Sequence, residues 1–346
     1  MYRADEGLAY LLRYENVAWY EDGCVRILDR RIYPVEVTKV TCTRHEEVAQ
    51  AIADMVTQSG GPYTAAGMGM ALAAHEARDL GEEEFLAYME KAAYTLSHAR
   101  PTTMQRMMRV TERGMNVIRR ELAAGTPISE MDEKLKEDTI ADCNDRYDRM
   151  SRAAYFLAEQ IPNGGTVMTQ CFAETIIGTL IRECRRQGKE IKMICPETRP
   201  YYQGARLTAS VAYDMGVDTT VITDNMPAYT MKTKHVDVFT AAADVVTMDG
   251  YVVNKVGTFQ IALAASYWGI PFFCTGTPNP AHPTIDTVKI EERDPELVLE
   301  SMGKKHTMEG LKAYYPAFDI TPPKLVDGFV TEKGIVSPYN LKHLFD

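Results

Sequence analysis

The chain has 346 residues, more than one hydrophobic core usually serves, so two domains are expected. Hydrophobic residues make up 45% and charged residues 25%, which is typical of folded globular proteins rather than of disordered chains. The net charge of −10 argues against a nucleic-acid-binding surface, because phosphate backbones are bound by clustered Lys and Arg.

Short motifs and spacings exclude several further classes of function. The seven cysteines are scattered without a CxxC pair, so neither a disulfide framework nor a zinc site is predicted. HExxH, GxGxxG and GxxxxGK[ST] motifs are absent, and we expect neither a metal nor an organic cofactor. The chain begins without an apolar signal segment and contains no run of 18 apolar residues, which predicts a cytoplasmic protein that does not associate with membranes.

The first 40 residues predict a small sheet, because short alternating segments flank a hairpin turn at Asp22 and Gly23. The pattern then becomes helical, with Thr43 as the expected N-cap of the first helix and Glu46 as its capping partner. Four helices are predicted in this part of the chain, over residues 44–56, 64–77, 82–96 and 102–124.

A polar helix starting at Ser129 is expected to connect two domains. After it, short apolar runs alternate with helices, which indicates a parallel, doubly wound sheet. Strands are predicted over residues 166–169, 191–195, 218–222, 237–243 and 271–275. The predicted fold class is therefore α/β, with a small sheet and helices first and a Rossmann-like doubly wound domain second. The predicted domains are an N-terminal domain, a connecting helix and a catalytic domain, over residues 1–125, 126–160 and 161–346.

Ligands of such sheets bind beyond the carboxyl ends of the strands, so the residues that follow strands are candidates. Cys171 follows the first of these strands and precedes a helix, whose N-terminus would lower the thiol pKa and favour acid–base or nucleophilic chemistry. The alternative is a buried, inert thiol. Asp244 ends a strand, where partial burial would raise its pKa and let it donate a proton. A turn or capping role is the alternative.

Three further segments concentrate polar groups before helices. Residues 196–206 place donors and acceptors between two prolines, and Gly204 opens a helix whose N-terminus could receive an anion. Asn254 and Lys255 precede another helix, and Arg100 precedes a helix of the first domain. Each segment is also compatible with solvated surface.

At these residues the chain resembles the methylthioribose-1-phosphate isomerase family. The wider superfamily also contains ribose-1,5-bisphosphate isomerases and the alpha, beta and delta subunits of a eukaryotic translation-initiation exchange factor. The matching stretches are ILDRRIYP (27–34), the Gly61 and Pro62 loop, ARPTT (99–103), MTQC (168–171), ETRPYYQGARLTA (197–209), TDNM (223–226), AAD (242–244), NKVGT (254–258), IEERDP (290–295), PAFDITP (316–322) and TEKGI (331–335).

The resemblance implies a homodimeric isomerase that converts an aldose 1-phosphate into a ketose 1-phosphate without a cofactor. It implies that Cys171 and Asp244 are the catalytic residues and that Asn254 contacts the sugar. It places phosphate or substrate binding at Ser59, Gly60, Gly61, Arg100, Gln203 and Lys255.

Several positions depart from the methylthioribose enzymes. Ser59 stands where those enzymes usually have a phosphate-binding arginine. Gln170 and Phe172 flank Cys171 in place of histidine and asparagine, and Val245 replaces an arginine. These departures predict a divergent branch whose 5-substituent or phosphate contacts differ, such as a 5-deoxyribose 1-phosphate isomerase. A ribose-1,5-bisphosphate isomerase and a non-catalytic regulatory protein are the alternatives.

Overall fold

The computed structural model describes residues 2–100 and 104–345. The chain divides into two compact units, one ending at Asp148 and the other beginning at Arg149. Within the described ranges, no helix is both long enough and apolar enough to cross a membrane. The predicted helix start at Thr102 lies outside the described residues.

The N-terminal unit combines an antiparallel sheet with helices. Its strands are β1 (Ala18–Glu21), β2 (Cys24–Leu28) and β3 (Lys39–Cys42). The predicted hairpin is confirmed: Glu21 pairs with Cys24, and Asp22 and Gly23 both have the positive φ that a two-residue turn requires. The helices are α1 (His45–Ala53), α2 (Gly61–Glu76), α3 (Glu82–Ser97), α4 (Met104–Ala123) and α5 (Met131–Glu159), and the boundary between the units falls within α5.

The start of α1 differs from the prediction by one residue. Arg44, not Thr43, is the N-cap, and Glu47 rather than Glu46 closes the turn. The Glu47 carboxylate accepts hydrogen bonds from the backbone N–H groups of Thr43 (2.7 Å) and Arg44 (3.2 Å). Thr43 and Arg44 lie just before the first residue of α1, where backbone N–H groups have no acceptor within the helix. The Glu47 carboxylate supplies that acceptor.

The C-terminal unit is built on a seven-stranded sheet. The strands of the whole unit, which also include those of smaller sheets, are β4 (Thr166–Met168), β5 (Lys192–Pro196), β6 (Asp218–Ile222), β7 (Val236–Ala242), β8 (Val245–Val246), β9 (Val252–Lys255), β10 (Phe272–Thr275), β11 (Glu300–Ser301), β12 (Lys304–Lys305), β13 (Phe318–Thr321), β14 (Gly328–Thr331) and β15 (Gly334–Val336). The sheet order is β15-β14-β10-β7-β4-β5-β6, and all neighbours are parallel except the edge strand β15. The predicted α/β fold class with a parallel sheet is confirmed.

Helices connect these strands. They are α6 (Thr175–Arg186), α7 (Ala209–Asp214) with a π-helical turn before it (Gly204–Thr208), α8 (Pro227–Thr233), α9 (Thr258–Trp268) and α10 (Glu296–Leu299). In the core of the unit, the rings of Phe239 on β7 and Phe272 on β10 stack with their centroids 4.4 Å apart. This packing fixes the central strands whose ends carry the candidate site.

The C-terminal unit also contains a second, smaller sheet, which the sequence did not predict. It is antiparallel, with the order β13-β9-β8. Within it, Asn254 pairs with Asp319 and Lys255 with Phe318. Two of the predicted site residues therefore lie on a strand of this small sheet, directly before α9.

Candidate active site

The carboxyl ends of three neighbouring parallel strands carry predicted site residues. The sheet places β7, β4 and β5 side by side. Asp244 follows β7, Cys171 follows β4, and Gln203 lies in the segment after β5. Because parallel strands end at the same edge, these residues lie along the edge where ligands of such sheets bind.

Thr198 positions Cys171. The Cys171 backbone N–H donates to the Thr198 hydroxyl oxygen at 3.1 Å, and the Cys171 carbonyl accepts from the Thr208 hydroxyl. Thr198 is fully buried. The helical segment can approach this close because residue 204 is glycine: a Cβ there would lie 1.8 Å from the Pro196 carbonyl oxygen. The thiol is thereby held on a tightly packed loop.

The predicted low pKa of Cys171 is wrong. Burial raises the pKa of the thiol to about 11, and the negative charge of Asp244 adds to that rise. The positive charges of Lys255 and Arg293 oppose it. Helix α6 begins only at Thr175, so Cys171 lies before the first turn, within which a helix dipole acts. The thiol is therefore protonated at neutral pH.

The predicted partial burial of Asp244 is also wrong. Asp244 is exposed, because the chain leaves β7 and turns at once into β8. Its backbone N–H donates to the Val253 carbonyl at 3.0 Å, which fixes the turn. The Asp244 charge still acts on the Cys171 thiol, so the two groups lie within electrostatic range of each other.

Lys255 carries a buried positive charge. The side chain is 4% exposed, and its ammonium lies 4.6 Å from the centre of the Phe318 ring. Burial lowers its pKa, and the nearby Arg293 lowers it further. In residues 2–100 and 104–345, the ammonium makes no hydrogen bond or ion pair. A buried charge without a partner is costly, so this group is suited to an anionic ligand.

Asp319 occupies the helix start next to Lys255. Its carboxylate accepts hydrogen bonds from the backbone N–H groups of Gly257 (2.7 Å) and Phe259 (3.1 Å), at the N-terminus of α9. Burial raises the pKa of Asp319 to about 6, and these two amides and Lys255 oppose the rise. Those amides are therefore already engaged by the protein's own carboxylate.

Several buried polar atoms around this edge have no hydrogen-bond partner within the described part of the chain. Buried polar groups are nearly always paired in native proteins, so such a group of exceptions indicates a site for a polar ligand. They are the hydroxyls of Thr169, Tyr315 and Thr321, the side-chain oxygen of Gln203 and one carboxylate oxygen of Asp319. Asn254 differs from them, because its amide donates to the Thr258 hydroxyl at 3.0 Å.

The other four predicted residues belong to the N-terminal unit. Ser59 is exposed and has a φ of 59°, Gly60 is half-buried, and Gly61 is the buried first residue of α2. The guanidinium of Arg146 donates to the Gly60 carbonyl at 3.1 Å. Arg100 is half-buried and follows α3. The structure thus groups the other five predicted residues in the C-terminal unit.

One group of side chains in the N-terminal unit has ligand types that suit a metal. His45, Glu46 and Glu76 place one ligand atom each within 4.8 Å of the others. Arg44 lies 3.3 Å from Glu46 and 3.8 Å from Glu76, and Tyr88 donates to Glu76 at 2.6 Å. These contacts already neutralise and satisfy the carboxylates, so we assign no metal to them.

Sequence reasoning missed four residues of the C-terminal site. Thr198 positions Cys171, Arg293 and Asp319 interact electrostatically with Lys255, and Tyr315 lies next to Arg293. All four residues lie in or next to ETRPYYQGARLTA, IEERDP and PAFDITP, which are stretches that match the family. The sequence therefore marked these segments, but it did not indicate what the four side chains do.

Comparison with known proteins identifies the family. The profile of the Initiation factor 2 subunit family matches residues 62–338. The chain belongs to this family. Members similar to it include methylthioribose-1-phosphate isomerases of Thermosipho africanus (34% identity, over 97% of this chain and 99% of that protein) and Roseiflexus castenholzii (35%, over 93% and 95%).

Two solved structures of family members share the fold. The 5-methylthioribose 1-phosphate isomerase from Pyrococcus horikoshii OT3 has a TM-score of 0.84 and 30% identity, covering 95% of each chain. The translation initiation factor eIF-2B, subunit delta, from A. fulgidus has a TM-score of 0.82 and 30% identity, covering 93% of this chain and 96% of that one. The resemblance expected from the sequence motifs is confirmed.

Replacing Asp319 by asparagine is expected to change how stability depends on pH. The raised pKa of Asp319 means that the folded chain holds this proton more tightly than the unfolded chain. Its contribution to stability is therefore fully present below about pH 4 and lost as pH rises through about 6. Relative to Asp319→Asn, the native chain should lose up to about 3 kcal/mol between pH 4 and pH 7.5.

Urea unfolding at both pH values measures this difference. The chain has two tryptophans, Trp19 and Trp268, so a Trp19→Phe background reports the C-terminal unit alone. Asp286→Asn, which removes an exposed carboxyl group of the same unit, is the control. A difference between native chain and Asp319→Asn that does not vary with pH contradicts the assignment.

Proposed function

We propose that this chain converts a 5-substituted ribose 1-phosphate into the matching ketose 1-phosphate, with the 5-methylthio or the 5-deoxy sugar as substrate. The main support for this proposal is that three groups lie at one sheet edge: the protonated thiol of Cys171, the exposed carboxylate of Asp244 and the buried, unpaired ammonium of Lys255. The family relationship shows that the chain is an isomerase. Its relatives are named methylthioribose-1-phosphate isomerases, which supports the proposed substrate class.

The reaction needs an acid and a base. A 1-phosphorylated aldose is locked as a cyclic acetal, so the ring must open before the carbonyl group can move. Ring opening breaks the bond between C1 and the ring oxygen, and that oxygen gains a proton. The hydrogen on C2 then moves to C1 while the C2 hydroxyl loses its proton, which leaves a ketone at C2.

The environments of the two candidate groups assign these roles. Cys171 is the acid in our proposal, because burial keeps its thiol protonated, and it gives its proton to the ring oxygen. Asp244 is the base in our proposal, since its exposed carboxyl group lies within electrostatic range of the thiol, and it takes the proton of the C2 hydroxyl. The sequence had predicted Asp244 as the proton donor, so the proposal assigns that role to Cys171 instead. We propose that the C2 hydrogen moves as a hydride, because a protonated thiol cannot remove it as a proton.

The remaining predicted residues bind the substrate in this proposal. Lys255 and Gln203 contact the phosphate from the C-terminal unit, and Asn254 contacts the sugar. Lys255 is supported by its buried, unpaired charge, and Gln203 by its unpartnered side-chain oxygen. Ser59, Gly60, Gly61 and Arg100 stay predicted substrate-binding residues, on the strength of the family resemblance.

Removal of either catalytic group should abolish most turnover. Cys171→Ala and Asp244→Asn are each expected to lower kcat by roughly 100- to 10,000-fold, because each removes a group that transfers a proton. KM should change little by comparison. Steady-state kinetics with 5-methylthioribose 1-phosphate or 5-deoxyribose 1-phosphate measure both values.

Matched variants separate chemistry from folding. Cys24→Ala removes a thiol of the N-terminal unit, and Asp286→Asn removes an exposed carboxyl group, and both should retain normal turnover. Near-normal kcat in Cys171→Ala and Asp244→Asn would refute the assignment. In the same assay, a deuterium label at C2 should remain in the product, and its complete loss to water would contradict the hydride step.

The 5-substituent can be identified by comparing substrates. We expect kcat/KM to be at least about ten-fold higher for the 5-methylthio or 5-deoxy sugar than for ribose 1,5-bisphosphate. Lys255 and Arg293 are the cations that act on the Cys171 thiol, and Glu291 already pairs with Arg293, so this edge suits one phosphate group rather than two. A higher kcat/KM for the bisphosphate would establish the alternative substrate.

A regulatory role is the second candidate function, because the eIF-2B delta subunit shares the fold at the same identity as the isomerase structure. It would follow from an absence of turnover on all three sugars together with tight binding of a nucleotide or protein. The combination of Cys171, Asp244 and Lys255 at one edge favours the isomerase.

We propose that the protein acts as a cytoplasmic homodimer. Helices α8 and α9 expose large apolar side chains, and exposed apolar patches mark surfaces at which protein chains associate. Leu263 and Tyr267 lie one turn apart on α9 with 46% and 79% exposure, and Tyr229 on α8 is 75% exposed. A dimer is expected in analytical ultracentrifugation, and Tyr267→Glu should shift it towards monomer. Tyr213→Glu, on α7 and 78% exposed, is the control.

A further inference from the structure

Two cationic side chains of the C-terminal unit share one aromatic ring. The Lys255 ammonium lies 4.6 Å from the centre of the Phe318 ring, and the Arg293 guanidinium lies 5.7 Å from it. Arg293 also lies 5.8 Å from the centre of the Tyr201 ring. Cation–π contacts stabilise a cation that has been removed from water, and here they hold both positive charges beside the Phe318 ring.

The charges of this pair are only partly balanced. The Arg293 side chain is 12% exposed, and its Nε donates to a Glu291 carboxylate oxygen at 2.7 Å. Lys255 has no such partner in the described ranges. Arg293 lowers the pKa of Lys255, which shows that the two charges repel each other. The Lys255 ammonium beside Arg293 therefore keeps donors with which it can bind an anion.

A hydroxyl group without a partner adjoins the pair. The Arg293 backbone N–H donates to the Tyr315 carbonyl at 3.0 Å, so the two residues are held side by side. The Tyr315 hydroxyl is buried and has no hydrogen-bond partner in the described part of the chain. Burial raises the pKa of Tyr315, so the group is a hydroxyl donor at neutral pH. Both Arg293 and Tyr315 act electrostatically on the Cys171 thiol.

The segment that carries Arg293 is tied to the loop beside Cys171. The Arg199 guanidinium donates to the carbonyls of Leu297 (3.3 Å) and Glu300 (2.5 Å). The hydroxyls of Tyr202 and Ser301 are hydrogen-bonded at 2.5 Å. Arg293 itself is held relative to Lys255 by backbone bonds to the stretch before β13, whose Phe318 pairs with Lys255.

We propose that Arg293 and Tyr315 complete, with Lys255, a subsite that recognises the second negative charge of a phosphate monoester. The subsite selects dianions over monoanions and supplies a guanidinium group in a chain that has Ser59 where the methylthioribose enzymes usually have arginine. It rests on the proposed function, since the phosphate ester is that of the proposed substrate. Guanidinium groups suit this role because their donors match phosphate oxygens in pairs.

Binding of small phosphate esters tests the subsite without turnover. The probes are methyl phosphate, a dianion at pH 7.5, and dimethyl phosphate, a monoanion, each titrated by calorimetry into the full chain. The native chain should bind methyl phosphate at least about ten-fold more tightly. Arg293→Met should weaken methyl phosphate binding roughly ten- to hundred-fold and leave dimethyl phosphate binding nearly unchanged.

Three further variants make the test specific. Lys289→Met removes an exposed positive charge from the same segment and should leave both affinities unchanged. Arg293→Lys should retain part of the preference, and Tyr315→Phe should weaken methyl phosphate binding by a few-fold. If Arg293→Met does not fold, these last two variants decide the question: native-like affinities in both would overturn the subsite.

The outcomes separate this subsite from the proposed reaction. Native-like methyl phosphate binding by Arg293→Met overturns the subsite even if the chain isomerises a sugar phosphate. A native chain that binds the two esters equally also overturns it. Preference for the dianion that depends on Arg293, with no turnover of any 1-phosphopentose, supports the subsite and refutes the reaction.

Discussion

The burial of the Lys255 ammonium is the constraint on which the rest of the site depends. A charge removed from water destabilises the folded chain unless other groups compensate. The face of Phe318 and the carboxyl group of Asp319 compensate in part, whereas the positive charge of Arg293 acts in the opposite direction. Binding of an anion beside Lys255 would therefore remove an electrostatic penalty that the fold otherwise carries.

The same charge sets the strength of the acid. Burial raises the pKa of Cys171, and Lys255 and Arg293 limit that rise. A thiolate that forms when the proton leaves is therefore stabilised by two nearby cations. The groups proposed to bind the phosphate thus also affect the group proposed to donate the proton.

Much of the fold could be predicted from the sequence, because local patterns encode it. Five of the seven strands of the main sheet were predicted as short runs between helices, whereas β14 and β15 were not, and the hairpin at Asp22 and Gly23 has its own turn signal. The sheet β13-β9-β8 could not be predicted, since its strands do not alternate with helices as those of the main sheet do. It also pairs β9 with β13, which comes from a distant part of the chain.

The position of the site could be predicted better than its chemistry. The rule on strand ends identified Cys171 and Asp244, but their burial depends on segments far away in sequence. Asp244 is exposed because of the immediate turn into β8, and the thiol pKa depends on packing that no local pattern shows. Arg293 and Tyr315 come from a connection without regular alternation, so only the tertiary structure reveals their relation to Lys255.

The carboxylate of Asp319 at the start of α9 has a consequence for how substrate recognition can evolve. Many phosphate-binding folds use backbone amides of a helix start, which every residue except proline supplies. Here an acidic side chain occupies those amides. Specificity at this edge therefore depends on a few replaceable side chains, and related chains can acquire new substrates, or lose catalysis, by point substitution on an unchanged backbone.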